Sequence, residues 1–452
     1  MSYNIPTPKG WQLVKLSDLG EVNRGKSKHR PRDADFLYGG KYPFIQTGDV
    51  KASGGRINSF NQTYSDEGLK QSRLWPEETM CITIAANIAE TGVLQFPACF
   101  PDSVIGFIAD KTKCDVYFIE YMFRLLKAKI KSQANGSVQD NINLQTLERI
   151  LFPIPNLADQ KKIAKILGVF DDKIIINNRL IETLEQMAQA LFKSWFVDFE
   201  PVKAKMAALE EGGSQEDATL AAMTAISGKN ADALAVFERE HPEQYAELKV
   251  TAELFPSAMQ DSELGNIPVT WELGKLQDLL VLQRGFDLPS SARKDGEFPL
   301  IAASGPNGTH NVAMAKAPGV ITGRSGVLGK VYLTLEDYWP LNTTLWVKEF
   351  KRATPCYAYE LLRLLDMKAF NAGSAVPSLN RNHIHSLSYP LPPMALVNLF
   401  ESSALLLHQR AHVNLKHSQS LALLRDTLLP KLLSGEITLP EAEQAVSEAE
   451  NV

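Results

Sequence analysis

The 452-residue chain has little of what marks a secreted, membrane-bound or catalytic protein. Its four cysteines, Cys81, Cys99, Cys114 and Cys356, are too far apart for a CxxC zinc or redox pair, and they suit plain core positions in a reducing compartment. No apolar run reaches the length of about eighteen residues that a membrane span needs. The opening MSYNIPTPKGW has neither a charged n-region nor an apolar h-region, so no membrane association and a cytoplasmic location are expected.

Catalytic signatures are also scarce. No GxGxxG follows a strand pattern. GRSGVLGK at Gly323 looks like a phosphate loop, but Arg324 stands where a glycine is needed and Val331 where Ser or Thr should hold magnesium. No Asn/Asp-Pro-Pro-Tyr/Phe motif of amino-methyltransferases occurs, and LPPM at Leu391 lacks the leading acid or amide. Glu349 and Lys351 form an acid-x-lysine pair without an upstream acid, which disfavours a nuclease centre. His408 and His412 have the i, i+4 spacing of a metal pair, yet on a polar helix face they are expected to be solvated.

What the chain does contain is a repeat. GWQLVKLSDLGEVNRG at Gly10 returns as TWELGKLQDLLVLQRG at Thr270, pairing Trp11 with Trp271, Leu16 with Leu276, Asp18 with Asp278, Arg24 with Arg284 and Gly25 with Gly285 at an offset of 260. YPFIQTGD at Tyr42 answers FPLIAASG at Phe298 at 256. The stretch from Asn135 answers that from Ala372 at 237, pairing Gly136 with Gly373, Asn143 with Asn380, Pro153 with Pro390 and Pro155 with Pro392. The shrinking offset means a second copy shorter in its middle. A period this long means two diverged copies of one domain, not a solenoid.

The formal charge of −5 argues against nucleic acid only superficially. Pro201 to Glu263 holds twelve acids and five bases, a net of −7, so an acidic insert masks a remainder of +2.

A proline pair ends each copy and punctuates the exit from the globular part. Apolar residues then recur at helical spacing: Ile163, Leu167, Phe170, Ile174, Ile181, Leu184, Ala188, Leu191 and Trp195 in one stretch, Phe400, Ala404, Leu407, Ala411, Leu421, Leu428 and Leu432 in the other. Asn177 and Asn414 interrupt the two seams at matching places, as a register pin would. The pattern predicts two long helices of roughly forty residues, about 60 Å each, packed antiparallel as a coiled coil with a globular domain at either end. Ile163, Phe170, Asn177, Leu184, Leu191 and Phe196, with Phe400, Leu407, Asn414, Leu421 and Leu428, are the expected pairing and partner positions. Ile175, Phe192 and Phe196 are expected to form outward apolar patches.

Within each copy, runs such as CITIA, VIGFIA and TLWVKEF read as strands, and DVYFIEYMFRLLKAKIKS and PCYAYELLRLLDMKAF as amphipathic helices, giving an α+β chain of two mixed domains and a long helix pair. The loops carry groups suited to DNA. Arg24, Lys26, Lys28, Arg30 and Arg32 form a basic run fit for phosphates, and arginine can also read guanine bidentately. Amides and hydroxyls suited to base edges add Gln46, Thr47, Asn61, Asn87, Ser137, Gln139, Asn141 and Asn143 in the first copy. The second copy offers Arg284, Arg293, Lys294, Ser304, Asn307, His310, Arg324, Ser325, Asn342, Thr343, Ser374, Asn380 and Arg381.

The duplicated GW…L.D openings, the GS…IN…PIP and PLPP exits, the long helices after them, KLLSGEI at Lys431 and SELGNIP at Ser262 together resemble the specificity subunit of a Type I restriction-modification system, over nearly the whole chain. The resemblance implies two target-recognition domains, 1–155 and 263–392, each reading half of a split asymmetric double-stranded DNA site. It implies spacer helices at 156–200 and 393–437, with an acidic helical or linker region at 201–262 and a tail at 438–452. It further implies two methyltransferase subunits that carry S-adenosylmethionine, two restriction subunits that use ATP and magnesium, and no cofactor or catalytic residue on this chain. The second copy has MALV at Met394 where the first has LADQ at Leu157, so unequal partner contacts at the two helices are expected. Rival readings are a stand-alone DNA-modifying enzyme, disfavoured by the missing motifs, and a coiled-coil adaptor without DNA contact, which leaves the repeated polar loops unexplained.

Overall fold

The duplication in the sequence reappears as a duplicated strand order in the computed structural model, which describes residues 7–85, 87–134, 144–367, 369–370 and 378–450. In the first copy a sheet runs Gly20–Arg24, Val104–Ala109, Thr79–Thr83, Thr91–Leu94 and Arg56–Ile57 from edge to edge. In the second, Leu280–Arg284, Thr344–Phe350, Gly319–Gly323 and Val331–Thr334 follow the same order without the fifth strand. A two-stranded ribbon closes each copy, pairing Gln12–Lys15 with Leu151–Ile154 and Glu272–Lys275 with Ser388–Leu391. Pro153 and Pro390 therefore lie inside strands. A ribbon of two gives each strand a free edge, where a missing N–H costs nothing.

The repeated opening words have structural causes. Leu16 and Leu276 are fully buried. Asp18 and Asp278 accept the backbone N–H of Lys15 and Lys275 at 3.0 and 2.8 Å, capping equivalent short helices, Leu16–Leu19 and Leu276–Leu279. Gly25 and Gly285 are forced by close approach: a Cβ would stand 2.3 Å from the Pro101 carbonyl oxygen in one case and 2.3 Å from that of Leu341 in the other.

By compactness the chain divides into two units, Met1–Asn178 with Lys416–Val452, and Arg179–Leu415. The boundary falls inside both long helices, Leu157–Phe196 and Met394–Ser434. In the first unit Ile163, Leu167 and Phe170 share a core with Leu421, Leu429 and Leu433. In the second, Ala188, Phe192 and Phe196 share one with Val397, Phe400 and Ala404. The start of each helix thus packs on the end of the other, which is the expected antiparallel pair. Each fully buried aromatic or leucine contributes about 1.5–3 kcal/mol.

Several details depart from the sequence reading. Phe192 and Phe196 are buried, with Phe196 edge-on to Tyr357 at 5.0 Å and both rings 5.5 Å from Phe400, so they are not outward patches. Ile175 is half-buried, and the exposed apolar residues of the helices include Ile176 and Leu423 in the first unit's part and Met187 and Leu406 in the second's. Asn177 meets His417 Nδ1 at 3.4 Å, whereas Asn414 turns back to the Arg410 carbonyl of its own helix at 2.9 Å. Gln160 of LADQ is internal, bonded to the Asp115 N–H and the Pro155 carbonyl, and Val397 takes the repeat-equivalent place in the second core. The acidic region is four helices, Glu200–Glu210, Gln215–Ser227, Ala231–Glu240 and Pro242–Glu253, with a small core of Ala222, Met223, Leu234 and Ala252. All four cysteines are buried. Among the described residues no helix is long and apolar enough to cross a membrane.

His408 is buried rather than solvated. Its Nε2 lies 3.7 Å from Glu360, whose carboxylate also faces Arg363 at 3.3 Å, while His412 Nε2 lies 3.8 Å from Glu336. Burial raises Glu360 to about 7, and burial helped by Arg363 lowers His408 to about 4. The proton that an unfolded chain keeps on the imidazole therefore sits on the carboxyl in the native state. The raised Glu360 contributes stability that is full below its ordinary 4.5 and lost as pH rises through about 7. The depressed His408 contributes stability that is present above its ordinary 6.5 and lost as pH falls through about 4. From 4.5 to 6.5 both states hold one proton, so the pair leaves stability flat there.

Two outcomes are expected. Gly25→Ala should cost about 1–3 kcal/mol, the range for overpacking, read as a lowered unfolding midpoint in denaturant. In an infrared difference spectrum of the chain against Glu360→Gln, a protonated-carboxyl band should be present at about pH 6 and fade as pH rises through about 7. Its absence at pH 6 would show that Glu360 is ionised there.

Candidate nucleic-acid interface

In the first copy the basic run leaves the end of strand Gly20–Arg24 and crosses a loop in which Arg24, Lys26, Lys28, Arg30 and Arg32 are all exposed. They are not equivalent. Arg32 is engaged by both oxygens of Asp102 at 2.9 Å, and Arg30 donates to the carbonyls of Ser27 and His29 at 2.7 Å, which shapes the loop. Among the described residues Arg24, Lys26 and Lys28 have no side-chain partner, which leaves them available to an anion.

The amide-rich loops converge. Gln46 Nε2 donates to Gln62 Oε1 at 2.6 Å, and Asn61 Nδ2 to Asp49 Oδ1 at 2.6 Å, while Asp49 Oδ2 accepts the Gln46 backbone N–H at 2.8 Å. Gln46, Thr47 and Asn61, quoted from separate words of the sequence, thus gather in one polar cluster with Asp49 and Gln62. Phe60, 44% exposed, stands beside Asn61. Such a set of short donors and acceptors with one aromatic ring can bond base edges and pack against a sugar or base face. Asn87 is half-buried in the loop after Thr79–Thr83, where its carbonyl accepts from the Thr83 hydroxyl.

The second copy assembles a comparable cluster from different groups. Arg324 and Ser325 donate their backbone N–H groups to the Thr343 carbonyl at 2.8 and 3.1 Å, and Arg324 Nη1 reaches the Asn342 carbonyl at 3.3 Å. Asn342 bonds Asp287, which also holds Arg284 at 3.0 Å, and Thr343 accepts the Ala303 N–H at 3.2 Å. The loops at Arg284, Ala303, Gly323 and Leu341 are so drawn together, with Ser304 exposed on the following turn and Asn307 exposed on strand Gly305–His310.

Two positions are placed for structure instead. His310 is buried, its Nδ1 against the Lys294 backbone at 3.0 Å and its ring edge-on to Trp339 at 5.2 Å, so it is not a surface contact. Asn380 caps helix Arg381–His385 by accepting the Asn382 N–H at 3.0 Å. Arg293 is half-buried, and among the described residues its Nε has no partner. Lys294 and Arg381 are exposed. Ser137, Gln139, Asn141, Asn143 and Ser374 lie outside the described residues.

The sequence reading passed over Asp49, Gln62 and Asp287, the groups that tie each cluster together. Gln62 was visible in NQTY. The two aspartates were not singled out, although Asp49 ends YPFIQTGD, because an acid contributes to such a polar cluster only through the donors it orients. Among the described residues no three His, Cys, Asp or Glu side chains are arranged to hold a metal ion.

Comparison with known proteins places this geometry. Residues 8–186 match the Type I restriction modification DNA specificity domain. The chain is 29% identical over 371 residues to the Type I restriction enzyme HindI specificity subunit of Haemophilus influenzae, covering 73% of this chain and 80% of that one. It is 24% identical over 455 residues to the Type I restriction enzyme MjaIX specificity subunit of Methanocaldococcus jannaschii, covering 96% and 95%. Its fold is similar to that of the Type-I restriction-modification system S subunit from M. genitalium, with a TM-score of 0.51 at 17% identity over 93% of this chain and 96% of the other. With a duplicated α/β domain, polar loop clusters in both copies and two long paired helices, the chain is similar to type I restriction-modification specificity subunits, and its residues 8–186 match their DNA specificity domain.

Proposed function

We propose that this chain reads a bipartite, asymmetric double-stranded DNA site for a type I restriction-modification complex, with residues 1–155 and 263–392 each reading one half. The helices at 156–200 and 393–437 set the unspecified gap between the halves. The chain supplies no chemistry. Methyl transfer from S-adenosylmethionine belongs to two methyltransferase subunits docked on the helices, and ATP-driven cleavage to two restriction subunits.

One observation carries this reading: the two copies keep the same scaffold and display different groups on it. Strand order, capping aspartates and forced glycines are shared. The clusters differ, with Gln46, Asp49, Asn61 and Gln62 in one and Arg284, Asp287, Arg324 and Asn342 in the other. A duplicated reader with altered reading groups suits a site whose halves have different sequences. Ile176 at 62% exposure and Leu423 at 70% in the first unit, and Met187 at 52% and Leu406 at 67% in the second, supply apolar surface for the methyltransferases.

Replacing Arg24, Lys26 and Lys28 together with alanine should weaken DNA binding and reduce the salt slope by about one per lost phosphate contact. A slope unchanged across a salt titration would leave that loop as solvated surface.

The gap itself is tested by adding one turn of four residues to both helices, after Glu185 and after Ala422, which lengthens each by roughly 6 Å. At about 3.4 Å per base pair, mapping of methylated bases should show the same two half-sites with a gap about two base pairs longer. An unchanged gap would mean the helices do not measure DNA.

A further inference from the structure

Reading a half-site at a set distance requires the reader to be fixed to the element that measures distance, and hydrophobic contact alone resists sliding poorly. In the first unit a single carboxylate makes that attachment directional. Asp171 lies on the long helix Leu157–Phe196 and is only 3% exposed. Its Oδ2 accepts from the Tyr121 hydroxyl at 2.6 Å and from Arg124 Nη2 at 3.1 Å, both on helix Val116–Ala134 of the recognition domain. Its Oδ1 is ion-paired with Arg425 of the other long helix, Met394–Ser434.

The bonds continue outward from there. Arg124 Nε donates to buried Glu120 at 2.7 Å and its Nη2 to the Gly54 carbonyl at 2.7 Å, while Thr91 of the central sheet donates its hydroxyl to Glu120 at 3.0 Å. Arg56, on the sheet's edge strand, reaches the Tyr121 hydroxyl at 3.3 Å. Gly55 makes room for the network, since a Cβ there would stand 1.7 Å from Arg124 Nη2. Burial pushes the Asp171 carboxyl up, but Arg124 and Arg425 outweigh it and hold the group below its ordinary value, so it is charged at neutral pH.

Among the described residues the second unit has no such clamp at the equivalent place. At the repeat offset of 237, the place of Asp171 is taken by His408, which is uncharged at neutral pH. It faces Glu360, the repeat partner of Glu120 at an offset of 240, with Arg363, Tyr359 and Glu185 around it. The difference is local to one reader.

Resting on the function proposed above, we infer that Asp171 is a positioning residue for the first half-site: by tying Tyr121 and Arg124 of the reader to Arg425, it fixes the angle of that reader on the helix pair and so the phase at which the reader meets DNA. Charge-assisted bonds of this kind are directional, so losing them frees a rotation that apolar packing leaves soft. With base pairs about 3.4 Å apart, a shift of a few ångströms moves a reader by one step.

The test uses the chain in complex with its methyltransferase subunits, both purified and in cells whose methylated bases are mapped. The wild-type complex should mark one bipartite motif with one gap. Asp171→Asn should slow methylation of that motif on the order of tenfold to a hundredfold. It should also add sites whose gap differs by one base pair, with the bases of both halves kept. Asp171→Glu should recover the single gap, which a mere loss of folding would not predict. Arg425→Gln leaves the Tyr121 and Arg124 bonds in place and should give a milder spread, deciding the matter if Asp171→Asn does not fold. A single unchanged gap and rate in a folded variant would overturn the role of Asp171. No bipartite motif from the wild-type complex would instead overturn the reading on which it rests.

Discussion

The apolar seam between helices Leu157–Phe196 and Met394–Ser434 is the constraint on which the rest depends. A lone helix of this length exposes a stripe of Ile, Leu and Phe to water and finds no compensation. Here the stripe is covered twice, by the facing helix and by the globular copy that precedes each helix. Phe170 and Leu421 sit in the core that also contains Phe107 and Phe123, and Phe192 and Phe400 in the core that contains Tyr357 and Leu282. The helices therefore act as part of each domain's interior and not as a linker laid beside it. Loss of the seam would open both cores.

The duplicated architecture was legible because its causes are local. A capping aspartate three residues after a strand end, a leucine at full burial and a glycine pressed against a carbonyl leave the same letters in both copies, and the matching strand orders follow. The long helices were legible from their period. What the period did not disclose was how many neighbours each helix has. A stripe wide enough for one partner was assumed, whereas two faces are covered, so Phe192 and Phe196 turn inward and His408 is buried against Glu360. Gln160, in the LADQ word that the second copy lacks, likewise bridges to Asp115 within its own unit.

The candidate site was legible as composition more than as geometry. Basic and amide-rich loops were recognisable one at a time, and the fold brings Gln46 to Gln62 and Arg324 to Asn342. The acids that orient them were not recognisable, nor was the buried Asp171 network, although each repeat carries a glutamate inside an apolar helix word, YFIEYMF and YAYELL, followed by an arginine four or three residues on. A charge in such a setting is expensive unless paired, so its presence implies a partner whose identity only the folded chain supplies. The two copies answer that demand differently, one with arginines on both sides of a carboxylate and the other with a neutral imidazole beside a carboxyl whose proton affinity burial has raised. Shared ancestry preserved the position and not the chemistry.

The placing of the unit boundary within the helices has a bearing on how the protein is made. The first unit consists of Met1–Asn178 and Lys416–Val452, so the whole of Arg179–Leu415 is synthesised before Leu421, Leu429 and Leu433 can enter its core. On the ribosome the N-terminal copy must wait, with Ile163 and Phe170 uncovered, while the later copy already has every segment it needs. Chains usually complete their domains from the N-terminus onward. Here the order of completion is reversed, and a chain released after Leu415 but before Leu421 would carry a finished second unit and an unfinished first.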